Sequence, residues 1–277
     1  MKGSPAFGLE GMRILVVGAG GIGGTIAHEF CRLGADSITL ADFDLYERSN
    51  MNRQIACYAD TLGRPKAEAL AAELGRMDPA PSISVIAERR RADGFSREIA
   101  EADFVAVAAD DYAFSLALLD RALDAGKPAG AALPIGLWAA TGLFLPGGPR
   151  PARLFGFRPQ ADEEGYAREI ARRRPALARA IMGRSRGAVV PELAAFMGGR
   201  GSGDRGEGPE ARPPQLCPVV WSAASLLVME AAKHLMRLGR PVCAPRWIEL
   251  APDGIRVRTS LSAIAPRGGP SPRPGKG

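Results

Sequence analysis

Three observations predict an α/β chain organised on a doubly wound, mostly parallel sheet. Between Met12 and Leu145, apolar runs of strand length alternate with stretches of helical periodicity. The first run breaks into a glycine-rich turn, Gly18-Ala19-Gly20-Gly21-Ile22-Gly23-Gly24. The second run ends in an acid, Asp42. Strand–helix alternation favours a parallel sheet, because each crossover helix carries the chain back to begin the next strand in the same direction. A helical and flexible insertion and a C-terminal β-hairpin complete the expected fold.

The organising stretch is Met12–Gln54. Ile14–Val17 has the length and β-branched content of a buried parallel strand. After the glycine turn, Ile22, Ile26, Phe30 and Leu33 recur at helical intervals, so one face can pack on the sheet. Gly34 is a plausible stop, and Ser37–Leu40 reads as the second strand. Strand, glycine turn, helix, strand and acid make a Rossmann-like nucleotide-binding βαβ unit. Gly18, Gly20 and Gly23 allow a tight turn, close backbone approach and close helix packing. The helix N-terminus offers N–H groups and a positive dipole end to phosphate, and Asp42 can accept from ribose hydroxyls.

Downstream, Tyr46–Tyr58 is too polar for core and reads as a loop with short helical turns over the nucleotide. Pro65–Met77 reads as a helix with Ala67, Leu70, Ala71 and Leu74 on one side, ended by Asp78-Pro79-Ala80-Pro81. Ile83–Ile86 is a strand, Phe95–Ala100 a helix, and Phe104–Ala108 a strand ending at Asp110-Asp111. Phe114–Ala125 is a helix closed by Gly126, and strands occupy Ala129–Leu133 and Leu137–Leu145. Beyond Pro149, Glu163–Ile181 looks helical, and its Arg172-Arg173-Arg174 run reads as a solvated face. Gly198–Pro214 has almost no apolar content and is expected to be a mobile linker. Pro218–Leu238 is an amphipathic helix, and Trp247–Leu250 with Ile255–Thr259 forms a hairpin across Pro252-Asp253-Gly254. The expected domains are a nucleotide-binding core over 1–150, an insertion or crossing loop over 151–216, a completing segment over 217–260 and a disordered tail over 261–277.

Composition bounds the function. A chain of 277 residues can bury a substantial core. It has no apolar run long enough for a bilayer, and MKGSPAFGLEG lacks the apolar centre of a secretory signal, so the expected address is the cytoplasm, with no membrane partner. The net charge of +6 rests on 36 basic residues, but 31 of them are arginine in an Ala-, Gly- and Pro-rich chain. Codon bias accounts for that, so charge alone is a weak argument for nucleic acid. Cys31, Cys57, Cys217 and Cys243 form no CxxC pair, which argues against a disulfide framework and against zinc.

A dinucleotide dehydrogenase has no need for the polar run that comes after the second strand. Asp42-Phe43-Asp44 leads to Ser49-Asn50-Met51-Asn52-Arg53-Gln54, then Gly63-Arg64-Pro65-Lys66, then Ala109-Asp110-Asp111. Gly20 and Gly21 can bring backbone donors to phosphate. Arg53 can bind phosphate oxygens as a planar fork and Lys66 as a point charge. Asp110, at the carboxyl end of a strand, can hold Mg²⁺. Asn50 and Gln54 can orient the same groups. Asp44 and Ser49 serve equally well as turn caps, and Asp111 as the cap of the helix after it. A lysine in a first helical turn opposes the helix dipole, which favours a phosphate role for Lys66. His28 and His234 sit inside helical patterns and read as packing or surface residues.

This series resembles the ThiF/ubiquitin-activating superfamily of adenylyltransferases, of the sulfur-carrier-protein type, over residues 12–145 and more weakly over 217–238. The resemblance implies an enzyme that uses ATP and Mg²⁺ to adenylate a carboxylate, above all the C-terminal glycine of a ubiquitin-like or sulfur-carrier protein, or a peptide C-terminus. It assigns Asp42, Asn50, Arg53, Lys66 and Asp110 to the ATP/Mg²⁺ set. It also implies a homodimer. Two departures stand out: Asp110-Asp111 replaces the usual Asp-Asn, and Ser115 stands where an arginine is common. Some relatives carry a thioester- or persulfide-forming cysteine on a crossing loop near Cys217, which makes Cys217 a candidate; a small residue at a helix start is the plainer reading. A tRNA-modifying, carboxylate-activating dehydratase is an alternative within the superfamily, as is an enzyme that adenylates a peptide terminus in natural-product synthesis. An NAD-dependent oxidoreductase would leave Arg53, Lys66 and Asp110 without roles, and a non-catalytic scaffold would not bind nucleotide.

Overall fold

A computed structural model describes residues 8–77, 80–173 and 215–259. The Gly198–Pro214 linker, the Ser262–Gly277 tail, the far half of the helix expected over Glu163–Ile181, and Asp78-Pro79 lie outside them. The strands are β1 (Arg13–Val17), β2 (Ser37–Ala41), β3 (Ser82–Ile86), β4 (Phe104–Val107), β5 (Ala129–Ile135), β6 (Trp138–Phe144), β7 (Trp247–Ala251) and β8 (Gly254–Arg258). They form one sheet in the order β3-β2-β1-β4-β5-β6-β7-β8. The first five run parallel, with Val17 opposite Ala41 and Val107. The last three join antiparallel, through the two-residue turn Gly136-Leu137 and then the Pro252-Asp253 turn.

The chain leaves β1 toward β2 on one side and returns to β4 on the other. The carboxyl ends of β1 and β4 therefore flank a topological switch point, where open α/β sheets bind ligands. Helix α1 (Gly21–Arg32), helix α2 (Lys66–Leu74) and the long helix Cys217–Leu235 cover one face. Ile26, Phe30, Leu70, Leu74, Val220 and Leu227 are buried there. Helices α3 (Ser96–Glu101) and α4 (Tyr112–Asp124) cover the other, over Phe95, Leu118 and Trp138. Ala152, Leu154, Phe157 and Tyr166 share this second core, so the stretch after residue 150 begins packed on the sheet. Residues 163–173 are helical. No helix among the described residues is long and apolar enough to cross a membrane.

Several helix ends differ from the sequence reading, two of them by three residues. The last helix runs Cys217–Leu235 instead of Pro218–Leu238. Arg237 takes φ 55, and the Leu238 and Arg237 amides bond back to the Lys233 and His234 carbonyls at 2.9 and 3.2 Å. That is a Schellman closure with arginine at the left-handed position, two residues ahead of Gly239. Helix α2 likewise stops at Leu74, capped by Gly75, three residues before Met77.

The long helix lies tight on the sheet because β5 offers Gly130, where an added Cβ would stand 2.5 Å from Leu227 Cδ1. Leu227 is fully buried in that seam. Leu227→Ala is expected to lower the unfolding free energy by about 2–5 kcal/mol, read from denaturant midpoints. A loss under about 1 kcal/mol would show that the seam is loosely packed.

Candidate functional site

The site is built on the turn from β1 into α1. Gly18 takes φ +98, and an added Cβ would lie 2.5 Å from the Ala108 carbonyl oxygen at the end of β4. At Gly23 the same Cβ would stand 1.7 Å from the Gly18 carbonyl oxygen, so α1 presses directly on the turn. Gly21 is held from outside by Val220, whose Cγ1 would be 2.7 Å from its Cβ. Gly20 is different: it has ordinary φ of −77, and its Cβ would meet only the Gln54 amide, at 3.6 Å. Gly20 is the N-cap of α1 and no side chain among the described residues caps this helix, so the positive end of α1 opens beside Gln54.

Asp42 braces this turn. Its Oδ2 accepts from the Ala19 amide at 2.6 Å and its Oδ1 from the Asp44 amide at 2.8 Å. Burial pushes the Asp42 carboxyl above its usual range, against the pull of the Asp44 amide, Lys66 and the Ala19 amide. Lys66 opens α2 and is 5% exposed. Its Nζ pairs with Asp44 Oδ2 at 2.9 Å, and its amide donates to the Asp44 carbonyl at 2.9 Å. Asp44 therefore serves as the counterion of Lys66, not as a side-chain cap.

The chain between β2 and α2 coils to deliver the remaining groups. A short 3-10 turn, Arg48–Asn50, is closed by a reciprocal Glu47/Asn50 box in which Asn50 Oδ1 accepts from the Glu47 amide at 3.1 Å. The Asn50 carbonyl then accepts from the Arg53 and Gln54 amides at 3.1 and 2.9 Å. Arg53 donates from Nη1 to the Ser49 carbonyl and Asn52 Oδ1, and from Nε to Gln215 Oε1 at 2.9 Å. Gln54 is buried, and its Oε1 has no hydrogen-bond partner among the described residues. A buried acceptor beside an uncapped helix end is the mark of a site whose partner is a ligand or a bound water.

Asp110 is exposed beyond the carboxyl end of β4, while the next residue, Asp111, accepts from the Ala113 and Phe114 amides and caps α4. Ser115 Oγ bonds the Ala109 carbonyl at 3.2 Å, so it supports the strand end without reaching outward as an arginine would. Cys217 is the first residue of the long helix and half-buried. It shares a helix face with Val220 and Trp221, which touch Gly21 and the Arg53 carbonyl respectively, so it stands one turn from the glycine turn. Among the described residues no three His, Cys, Asp or Glu side chains converge as a metal cage. The structure thus gathers Gly18, Gly20, Gly21, Gly23, Asp42, Asp44, Asn50, Arg53, Gln54 and Lys66 around the β1–α1 turn, with Asp110 beyond the end of the neighbouring strand. Gln215 and Trp221 join the site without any signal in the sequence, where nothing links them to Arg53 across more than 160 residues.

Gly23→Ala and Gly20→Ala separate the two glycine roles. The first forces α1 off the turn and is expected to cost about 1–3 kcal/mol or more. The second is expected to leave the melting temperature near wild type. Thermal denaturation of both variants checks this.

A 32% identity over 161 residues links the chain to the SAMP-activating enzyme E1 of Haloferax volcanii, covering 57% of this chain and 58% of that protein. The molybdopterin-synthase adenylyltransferase of Salmonella typhimurium is 35% identical over 92 residues, 33% of this chain and 37% of that one. The chain spans well under two thirds of the length of these relatives. A crystal structure of E. coli MccB with MccA-N7isoASN superposes on 90% of this chain and 64% of its own, with a TM-score of 0.65 at 21% identity, which shows a shared fold. The ThiF family model matches residues 8–262, nearly the full length, and on that match the chain belongs to the ThiF family.

Proposed function

We propose that this chain is an ATP- and Mg²⁺-dependent adenylyltransferase that converts a C-terminal carboxylate into an acyl-adenylate, the acceptor being a ubiquitin-like or sulfur-carrier protein or a peptide. The observation that carries the reading is that two cations, Arg53 and Lys66, lie around the start of α1 together with a Gln54 oxygen that has no partner among the described residues. A dehydrogenase that binds a pyrophosphate through its glycine turn needs neither cation. The names of the two curated relatives, an activating enzyme and an adenylyltransferase, support the same chemistry.

In such a reaction a carboxylate oxygen of the acceptor bonds the α-phosphorus of ATP, and the bond to the β-phosphate oxygen breaks to release pyrophosphate. Both reactants are anions, so this chain's task is to bring them together and to spread the charge, with little covalent work of its own. The α1 N-terminus and the backbone at Gly20 and Gly21 offer N–H groups to phosphate, and the small Gly20 leaves room for close approach. Arg53 presents a planar fork that can hold phosphate oxygens in fixed orientation. Lys66 is paired with Asp44 in the buried site, and a phosphate oxygen can replace or share that partner. Asp42 has each oxygen engaged by one amide, which leaves lone pairs for ribose hydroxyls. Asp110 fits Mg²⁺, which is commonly held by one or two carboxylates together with substrate phosphates and not by an all-protein cage. That ion, when bound, would neutralise phosphate charge.

The test is acceptor-dependent ATP–pyrophosphate exchange, with small proteins ending in Gly-Gly as acceptors. Arg53→Ala and Asp110→Asn are each expected to lower the exchange rate about 10²-fold or more, the scale of losing one charge-stabilising group. Wild-type exchange in both variants, or tighter binding of NADH than of MgATP, would refute the assignment.

A further inference from the structure

We infer that Gln215 and Trp221 are positioning residues that clamp Arg53 from the C-terminal side of the chain, and that binding of the nucleotide polyphosphate depends on this clamp. The inference rests on the proposed nucleotide site and extends it to residues outside the β1–α2 region. Arg53 is gripped at both ends by one short segment. Gln215 Oε1 accepts from the guanidinium Nε at 2.9 Å, and Trp221 Nε1 donates to the Arg53 carbonyl at 2.8 Å. The Gln215 carbonyl also accepts from Asn52 Nδ2 at 3.1 Å, so the side chain next to Arg53 is tied to the same residue. Val220, between the two grips along the chain, packs on Gly21.

The clamp has a physical consequence. An arginine on a polar loop samples many rotamers, and a ligand that recruits it must arrest them. Here the Nε edge is fixed by Gln215 and Nη1 by the Ser49 carbonyl and Asn52 before any ligand arrives. The Gln215 amide is neutral, so this contact orients the guanidinium by hydrogen bonding and not by ion pairing. Gln215 is itself anchored by a parallel bridge to Gly136 in the β5–β6 turn. Orientation of the phosphate-binding arginine is therefore set by the antiparallel half of the sheet and by the segment that enters the long helix. Gln215 and Trp221 act through Arg53 and need not touch the nucleotide.

A double-mutant cycle tests this, with MgATP alone titrated calorimetrically into the full chain. Arg53→Ala is expected to weaken MgATP about 10-fold or more, and Gln215→Leu about 5-fold, as befits a lost charge-assisted hydrogen bond. In the Arg53→Ala background, Gln215→Leu should have no further effect, which a general structural role would not produce. Trp221→Phe keeps the ring but removes the donor, so a loss of affinity with an unchanged melting temperature supports the clamp without relying on the Gln215 variant. Wild-type affinity in both Gln215→Leu and Trp221→Phe, or an effect of Gln215→Leu that adds in full to Arg53→Ala, overturns the inference. If Arg53→Ala binds MgATP as tightly as wild type, the nucleotide reading itself fails and takes the clamp with it.

Discussion

The contact on which the rest depends is the one between α1 and the end of β1. With only 1.7 Å between a notional Gly23 Cβ and the Gly18 carbonyl oxygen, the helix can approach the strand only because no side chain intervenes. That approach aims the first turn of α1 at the switch point between β1 and β4. It also sets Asp42 where its carboxylate can tie the Ala19 amide to the end of β2. Glycine is required at 18 and 23 by steric contact within the protein. At 20 no such contact exists, and the demand for a small residue comes from the space beside Gln54.

Around that turn one positive charge, that of Lys66, is held out of bulk water. Lys66 is nearly inaccessible and is paired with Asp44. Arg53 cannot lose its proton, so the protein regulates its direction instead, through the carbonyl and amide acceptors of Ser49, Asn52 and Gln215. Lys66 is steadied by an acid, whereas these three neutral acceptors aim Arg53 by hydrogen bonding.

Much of this is legible in the sequence because it is local. The glycine turn, Asp42, the short turns before Arg53 and the cap at Asp111 all arise from patterns spanning a few residues. The strand–helix alternation likewise predicts the five parallel strands. The illegible part is long-range or geometric. Asp44 can be read as a turn cap, and only three-dimensional proximity makes it the partner of Lys66. Gln215 precedes a helix and carries no motif, yet it reaches Arg53 across 162 positions. The apolar pattern overruns the end of the long helix because Arg237 adopts a conformation that sequence reasoning reserves for glycine.

The central claim is that these groups serve the transfer of AMP to a carboxylate. It is tested most directly by tracing oxygen. With an acceptor whose C-terminal carboxylate carries ¹⁸O, capture of the activated product by an added amine should release AMP containing one labelled oxygen, since that oxygen forms the bond to the α-phosphorus. AMP free of label, or ADP and phosphate as the only nucleotide products, would contradict the account.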